Sequence, residues 1–195
     1  MIAETETNAD GMHQTVAYPS STGNKIRNFM SQPPVRILFL CTHNRCRSIL
    51  AEALTRHHGH PLLISASAGS QPEGKVHPDT LAQLSAYGVA VDGLRSKSWH
   101  DMADFKPDYS IAVCEQAAGE SCPAWMESTP MIHWALPDPS KIADSAEHRQ
   151  QAFREVMATI EARIQNWLQL LKDDVASFHN HMNTQLARRN TQSLN

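Results

Sequence analysis

Residues 35–49 read VRILFLCTHNRCRSI. The run Val35–Leu40 has the apolar pattern of a buried strand, and it ends on Cys41. Arg47 and Ser48 follow after five intervening residues, and apolar residues then recur at helical spacing. A loop of that length between a strand and a helix is an oxyanion trap. Thr42, His43, Asn44, Arg45, Cys46, Arg47 and Ser48 supply successive backbone N–H groups, which form a nest, and the helix N-terminus adds positive potential. Arg47 offers a planar donor fork that matches a tetrahedral oxyanion. The same field is expected to depress the pKa of Cys41 and make it a thiolate nucleophile. The plain alternative is a buried core cysteine beside a surface arginine. The strand–loop–helix setting, the spacing and the serine together disfavour it.

Outward from this loop the pattern alternates strand and helix. Strands are expected at Val35–Cys41, Leu62–Ala68, Asp108–Cys114 and Thr129–Leu136, with one helix from about Ser48 to His58 and another beginning near His77 with Gly88 just past its end. The last strand is followed by a long amphipathic helix. Phe153, Val156, Met157, Ile160, Ile164, Trp167, Leu168 and Leu171 form one stripe, and Asp144 with Glu147 reads as its capping box. The expected fold class is α/β: one three-layer domain with a four-stranded parallel sheet flanked by helices. Three regions are expected: a disordered arm over residues 1–32, the enzyme domain over 33–172, and a helical or frayed tail over 173–195. Met30, just before the first strand, is a possible alternative start.

A net charge of −3 without a basic stripe argues against nucleic acid as a partner. No run is long enough to span a membrane, and the polar N-terminus has no signal-peptide core. Four cysteines without an export signal point to reduced thiols in a cytoplasmic enzyme. His179 and His181 are too poorly framed for a metal site, and no metal is expected.

The segment CEQAAGESCP, residues 114–123, carries two more thiols, Cys114 and Cys122. Cys114 ends a strand, so it is expected beside Cys41 at the carboxyl edge of the sheet. At the two ends of a regular helix these thiols would stand about 12 Å apart. A disulfide needs Cα atoms within about 7 Å. Their pairing would therefore require the segment to unwind, which Ala117, Ala118, Gly119 and Ser121 make cheap. Asp138, fixed by Pro139, is either a turn initiator or an acid held over the loop to protonate a departing oxygen.

The Cys41–Ser48 loop together with Asp138–Pro139 resembles the low-molecular-weight phosphatase superfamily. From about Val35 to Lys141, including SASAGS, VHPDTLAQL and VCEQAAGESCP, the chain is similar to bacterial arsenate reductases of that superfamily. The competing reading is a protein-tyrosine phosphatase. Cys114 and Cys122 have no role in hydrolysis. Ile49 and Ser140 stand where phosphatases carry a proline and an aromatic residue. A third reading, a sensing protein with an enzyme-like fold, needs a degraded site, whereas Cys41, Arg47 and Asp138 are all present.

The resemblance implies Cys41 as nucleophile, Arg47 as oxyanion clamp and Asp138 as general acid. It implies that Asn44 and Ser48 order the loop and bond the thiolate. It also implies that Cys114 attacks the Cys41–arsenic adduct, that Cys122 then attacks Cys114, and that thioredoxin or glutathione–glutaredoxin reduces the resulting disulfide. No cofactor beyond that donor is implied. Seven residues lie between Cys114 and Cys122, one more than in thioredoxin-coupled members, which leaves the donor open. Asn44, Glu52 and Ser67 match a potassium site of some relatives, but Lys97 stands where its remaining acid would be, so no potassium is expected. His43 and Arg45 depart from the small or polar residues of relatives, and Arg45 is expected in solvent. Cys46 is expected to be a packed loop residue.

Overall fold

The computed structural model describes residues 2–7, 13–18, 33–119 and 121–192. Within the expected arm, β1 (Ile2–Thr7) and β2 (His13–Tyr18) pair antiparallel as a separate unit. Threonine and valine in these segments suit extended pairing. The rest of residues 1–32 lies outside the described residues.

The second unit is built on a parallel sheet of β3 (Val35–Cys41), β4 (Leu63–Gly69), β5 (Tyr109–Ala112) and β6 (Met131–His133), in the order β4-β3-β5-β6. The helix α1 (Arg47–Gly59) connects β3 to β4, and α2 (Pro78–Ala86) lies on the longer path from β4 to β5. A single turn, α3 (Glu115–Gly119), follows β5. Two long helices, α4 (Ala146–Asp173) and α5 (Val175–Gln192), close the chain. The chain leaves β3 for one neighbour and later returns to its other side. The β3/β5 boundary is therefore the switch point at which open α/β sheets bind ligands. Cys41 ends β3, and Cys114 lies two residues beyond the carboxyl end of β5.

Strand alternation divides the core. Ile37 and Phe39 face the cluster formed with α1 and the α4 stripe, while Leu38 and Leu40 face the other side. Gly59 lets α1 end tightly on β4, since a Cβ there would lie 2.8 Å from the Leu63 Cβ. The second face of the sheet carries short helical elements. It is covered by short 3-10 turns, Trp99–Phe105 and Ala124–Met126, which bring Trp99, Met102 and Met126 onto Leu38, Leu40, Ala66 and Ala68. Small alanines on β4 leave room for these bulky side chains.

Three boundaries shift. The last two strands are shorter than expected: Val113, Trp134 and Leu136 prolong the apolar runs and are buried, but they lie beyond the strand ends. The cap of α4 is Ser145, whose Oγ accepts from the His148 N–H at 3.0 Å, not Asp144 with Glu147. Asp144 instead bonds His148 Nδ1 at 2.6 Å, which holds its carboxyl below the usual range. The tail is a docked helix: Phe178 and Met182 are fully buried, and Tyr109 Oη meets His179 Nδ1 at 2.7 Å. It therefore belongs to the enzyme domain and does not begin a separate region at residue 173.

Candidate active site

The Cys41–Arg47 loop is held from outside by its carbonyls. Thr42 O accepts from Gln71 N at 2.9 Å, His43 O from Glu73 N at 3.1 Å, and Arg45 O from His77 N at 3.0 Å. Ser96 Oγ adds a second bond to His43 O at 3.2 Å. In a trans peptide the following N–H points opposite to its carbonyl. Carbonyls tied outward therefore turn the loop amides inward, as a nest requires. Asn44 makes the turn with φ 44°, the left-handed conformation that asparagine tolerates. Gly69 lets β4 pass beneath, since a Cβ there would lie 2.5 Å from Thr42 O.

Cys41 Sγ lies 2.9 Å from Ser48 Oγ and accepts from Asn44 N–H at 3.2 Å. Its pKa is nevertheless raised, contrary to the expectation from sequence. Burial is the largest cause, the Ser48 and Asn44 hydrogen bonds oppose it, and the neighbouring Cys114 adds to it. The missing positive charge has a visible explanation. Arg47 points away to Asp138 Oδ2, at 2.9 Å, and to Leu136 O, at 3.2 Å. The expected clamp, Arg47, and the expected acid, Asp138, are thus bonded to each other.

Asp138 is fixed from its other side by Ser140. Its Oδ1 accepts from Ser140 Oγ at 2.7 Å and from Ser140 N–H at 3.2 Å. Arg45 is not solvated as expected. It pairs with Glu73 at 3.2 Å and reaches Ser140 Oγ at 3.5 Å.

Below the loop a polar chain is buried in the core. Asn44 Nδ2 donates to Ser48 Oγ at 2.9 Å and to Ser67 Oγ at 2.8 Å, and Ser67 Oγ donates to Glu52 Oε2 at 2.5 Å. Lys97 completes it, with its N–H on Asn44 Oδ1 at 2.6 Å and its ammonium on Glu52 Oε2 at 3.1 Å. Asn44, Glu52 and Ser67 are thus assembled, but a potassium ion does not fit, because a tethered cation already holds Glu52. Among the described residues no group of three or more histidine, cysteine, aspartate and glutamate side chains is placed to hold a metal. His179 bonds Tyr109, and His181 Nε2 lies 2.6 Å from Gln185 Nε2.

All four cysteines are thiols. Cys114 Sγ lies 3.7 Å from Thr42 Oγ1 and accepts from Ala117 N–H at 3.4 Å. Cys41, Cys46 and Cys114 are buried in one cluster, whereas Cys122 is half-buried against the opposite one. The segment between Cys114 and Cys122 carries one helical turn, so pairing them does not require a long helix to melt. Cys46 is a packed loop residue as expected, and burial pushes its thiol up to about 12. Thr42, His43, Arg47, Cys114, Glu115 and Lys141 help line a cleft of about 380 Å³ over this loop. The cleft thus brings the Arg47 guanidinium and the Cys114 thiol to the loop that carries Cys41, with Asp138 bonded to that guanidinium.

Sequence reasoning missed the buttress of Gln71, Glu73, His77 and Ser96. Most of its contacts use backbone atoms, which leave no side-chain signature. The pairing of Asp138 with Arg47 spans 91 positions and was equally hidden.

The model of the family "Low molecular weight phosphotyrosine protein phosphatase" matches residues 36–177. An arsenate reductase of Shouchella clausii is 30% identical over 131 residues, which is 67% of this chain and 93% of that protein. A glutaredoxin arsenate reductase of Synechocystis is 27% identical, covering 67% of this chain and 94% of that one. Among solved structures, an arsenate reductase in its phosphate-binding state aligns with a TM-score of 0.56 at 26% identity, covering 68% of this chain and 95% of that chain. A thioredoxin-dependent arsenate reductase of Corynebacterium glutamicum aligns with a TM-score of 0.55 at 25% identity, covering 78% and 72% of the two chains.

Proposed function

The chain belongs to the low-molecular-weight phosphotyrosine protein phosphatase family, and we propose that within it this member is an arsenate reductase that converts arsenate to arsenite through a thiol relay. One observation carries the reading furthest. A second thiol, Cys114, lies at the mouth of the nucleophile loop, against Thr42 and close enough to Cys41 to act on its charge. Hydrolysis of a phosphate ester has no use for it.

The steps balance with the chain's own thiols. Cys41 Sγ attacks arsenic(V) as its thiol proton passes by way of the Asp138 carboxylate to an arsenate hydroxyl, which leaves as water. Arg47 turns from Asp138 onto the oxyanion, beside the loop amides. Cys114 then attacks Cys41 Sγ. A Cys41–Cys114 disulfide forms, and the sulfur–arsenic bond breaks with its electron pair going to arsenic, which leaves as arsenite. Cys122 attacks Cys114 Sγ and returns Cys41 to the thiolate. Bringing Cys122 to Cys114 moves the short segment between them, and the resulting Cys114–Cys122 disulfide is reduced by thioredoxin or by glutathione and glutaredoxin. That chemistry fits a reducing, cytoplasmic compartment. No helix of the described residues is long and apolar enough to cross a membrane.

The test is arsenate-dependent oxidation of NADPH by the full chain, with thioredoxin and glutaredoxin systems supplied separately. Turnover with either donor supports the reading. Steady hydrolysis of phosphotyrosine with no arsenate reduction by either donor overturns it.

A further inference from the structure

We infer that Ser140 is a positioning residue for the acid: it holds Asp138 Oδ1, so that Oδ2 carries the proton to the departing arsenate oxygen. This rests on the reading of Asp138 as the acid. Asp138 caps a short 3-10 turn, Pro139–Lys141, and its Oδ1 accepts both the N–H and the hydroxyl of Ser140. Its Oδ2 faces Arg47. When an oxyanion draws the Arg47 guanidinium away, Asp138 loses its bond at Oδ2 and keeps the two at Oδ1. The hydroxyl of Ser140 donates to Oδ1 and thereby reserves that oxygen as an acceptor. A proton on Asp138 then sits on Oδ2, the oxygen that had faced the clamp and now faces its ligand. Arg45, braced by Glu73, lies 3.5 Å from Ser140 Oγ and limits the rotation of the hydroxyl. Two atoms of one residue thus decide which oxygen of the carboxyl group is reactive.

The experiment is single-turnover arsenite release from the fully reduced chain, with the maximal rate and half-saturating arsenate measured for four variants. Ser140→Ala should lower the maximal rate about tenfold, the size expected for one hydrogen bond to a charged group. Half-saturating arsenate should change less than twofold. Ser140→Thr, which keeps the hydroxyl, should restore the rate. Asp138→Asn should be slow, and Asp138→Asn combined with Ser140→Ala should be no slower than Asp138→Asn alone, because Ser140 acts through Asp138. A Ser140→Ala rate within twofold of wild type overturns this inference, as does a double variant slowed by the product of the two single effects. An Asp138→Asn rate equal to wild type would instead overturn the acid assignment itself.

Discussion

The Arg47 guanidinium stands 2.9 Å from Asp138 Oδ2, so a cation and a carboxylate neutralise each other over the Cys41 loop. An incoming oxyanion has to compete with this carboxylate for Arg47. The pair is largely shielded, with 16% and 15% of the two side chains exposed. Breaking it costs on the order of 1 kcal/mol. Asp138→Asn should therefore bind inorganic phosphate about threefold to tenfold more tightly than the wild type, while arsenate reduction slows. Titration calorimetry of the full chain with phosphate checks this. Unchanged or weaker binding would contradict the competition.

Lys97 is the tethered cation under the loop. Lys97→Ala leaves the buried Glu52 carboxylate without its counter-charge and removes the ammonium that anchors this polar chain. Stability should fall by about 3 kcal/mol, the scale for breaking a buried pair by removing one partner. Wild-type activity should be the same in sodium and potassium salts. Denaturant unfolding of the variant, and rates of the wild type in the two salts, test the two halves.

Cys46 links stability to alkaline pH. Its thiol rises from the ordinary 9.0 to about 12 on burial. Above pH 9 the unfolded chain releases this proton while the folded chain retains it, so the unfolded state binds fewer protons and stability falls as pH rises. Between pH 9 and pH 11 the Cys46→Ala variant should gain about 2 kcal/mol relative to the wild type. Equal pH slopes in paired urea titrations would show that the thiol is not held protonated.

The α5 helix should be a stability element. Phe178 is fully buried against Tyr109 and Trp167. Phe178→Ala should cost about 3–5 kcal/mol. A drop of that size in denaturant midpoint is the check, and a loss below about 1 kcal/mol would mean that the helix is dispensable to the core.

The sequence made the chemistry legible where it is local. Cys41, Arg47 and Ser48 lie within one strand–loop–helix unit, and the alternation of elements implied the parallel sheet that brings Cys41 and Cys114 to one edge. The upward shift of the Cys41 pKa was not legible. Burial is its largest cause, and the Arg47 guanidinium expected beside the thiol points instead to Asp138, a long way along the chain. The tail beyond residue 173 read as helical or frayed without showing a seat, because docking depends on Tyr109 and Trp167 in distant elements. The 3-10 cover of the second sheet face was hidden for a simpler reason: short turns carry too few residues to show a period.

The relay is tested most directly by arsenite formation under multiple turnover, with NADPH and the donor system that supports the wild-type chain, for Cys114→Ser combined with Cys122→Ser. The double variant is expected to give no sustained arsenite production. Cys122→Ser alone is expected to give about one arsenite per chain and to stop at a Cys41–Cys114 disulfide visible by mass spectrometry, as serial exchange requires. Arsenite production by the double variant at the wild-type rate would contradict the relay.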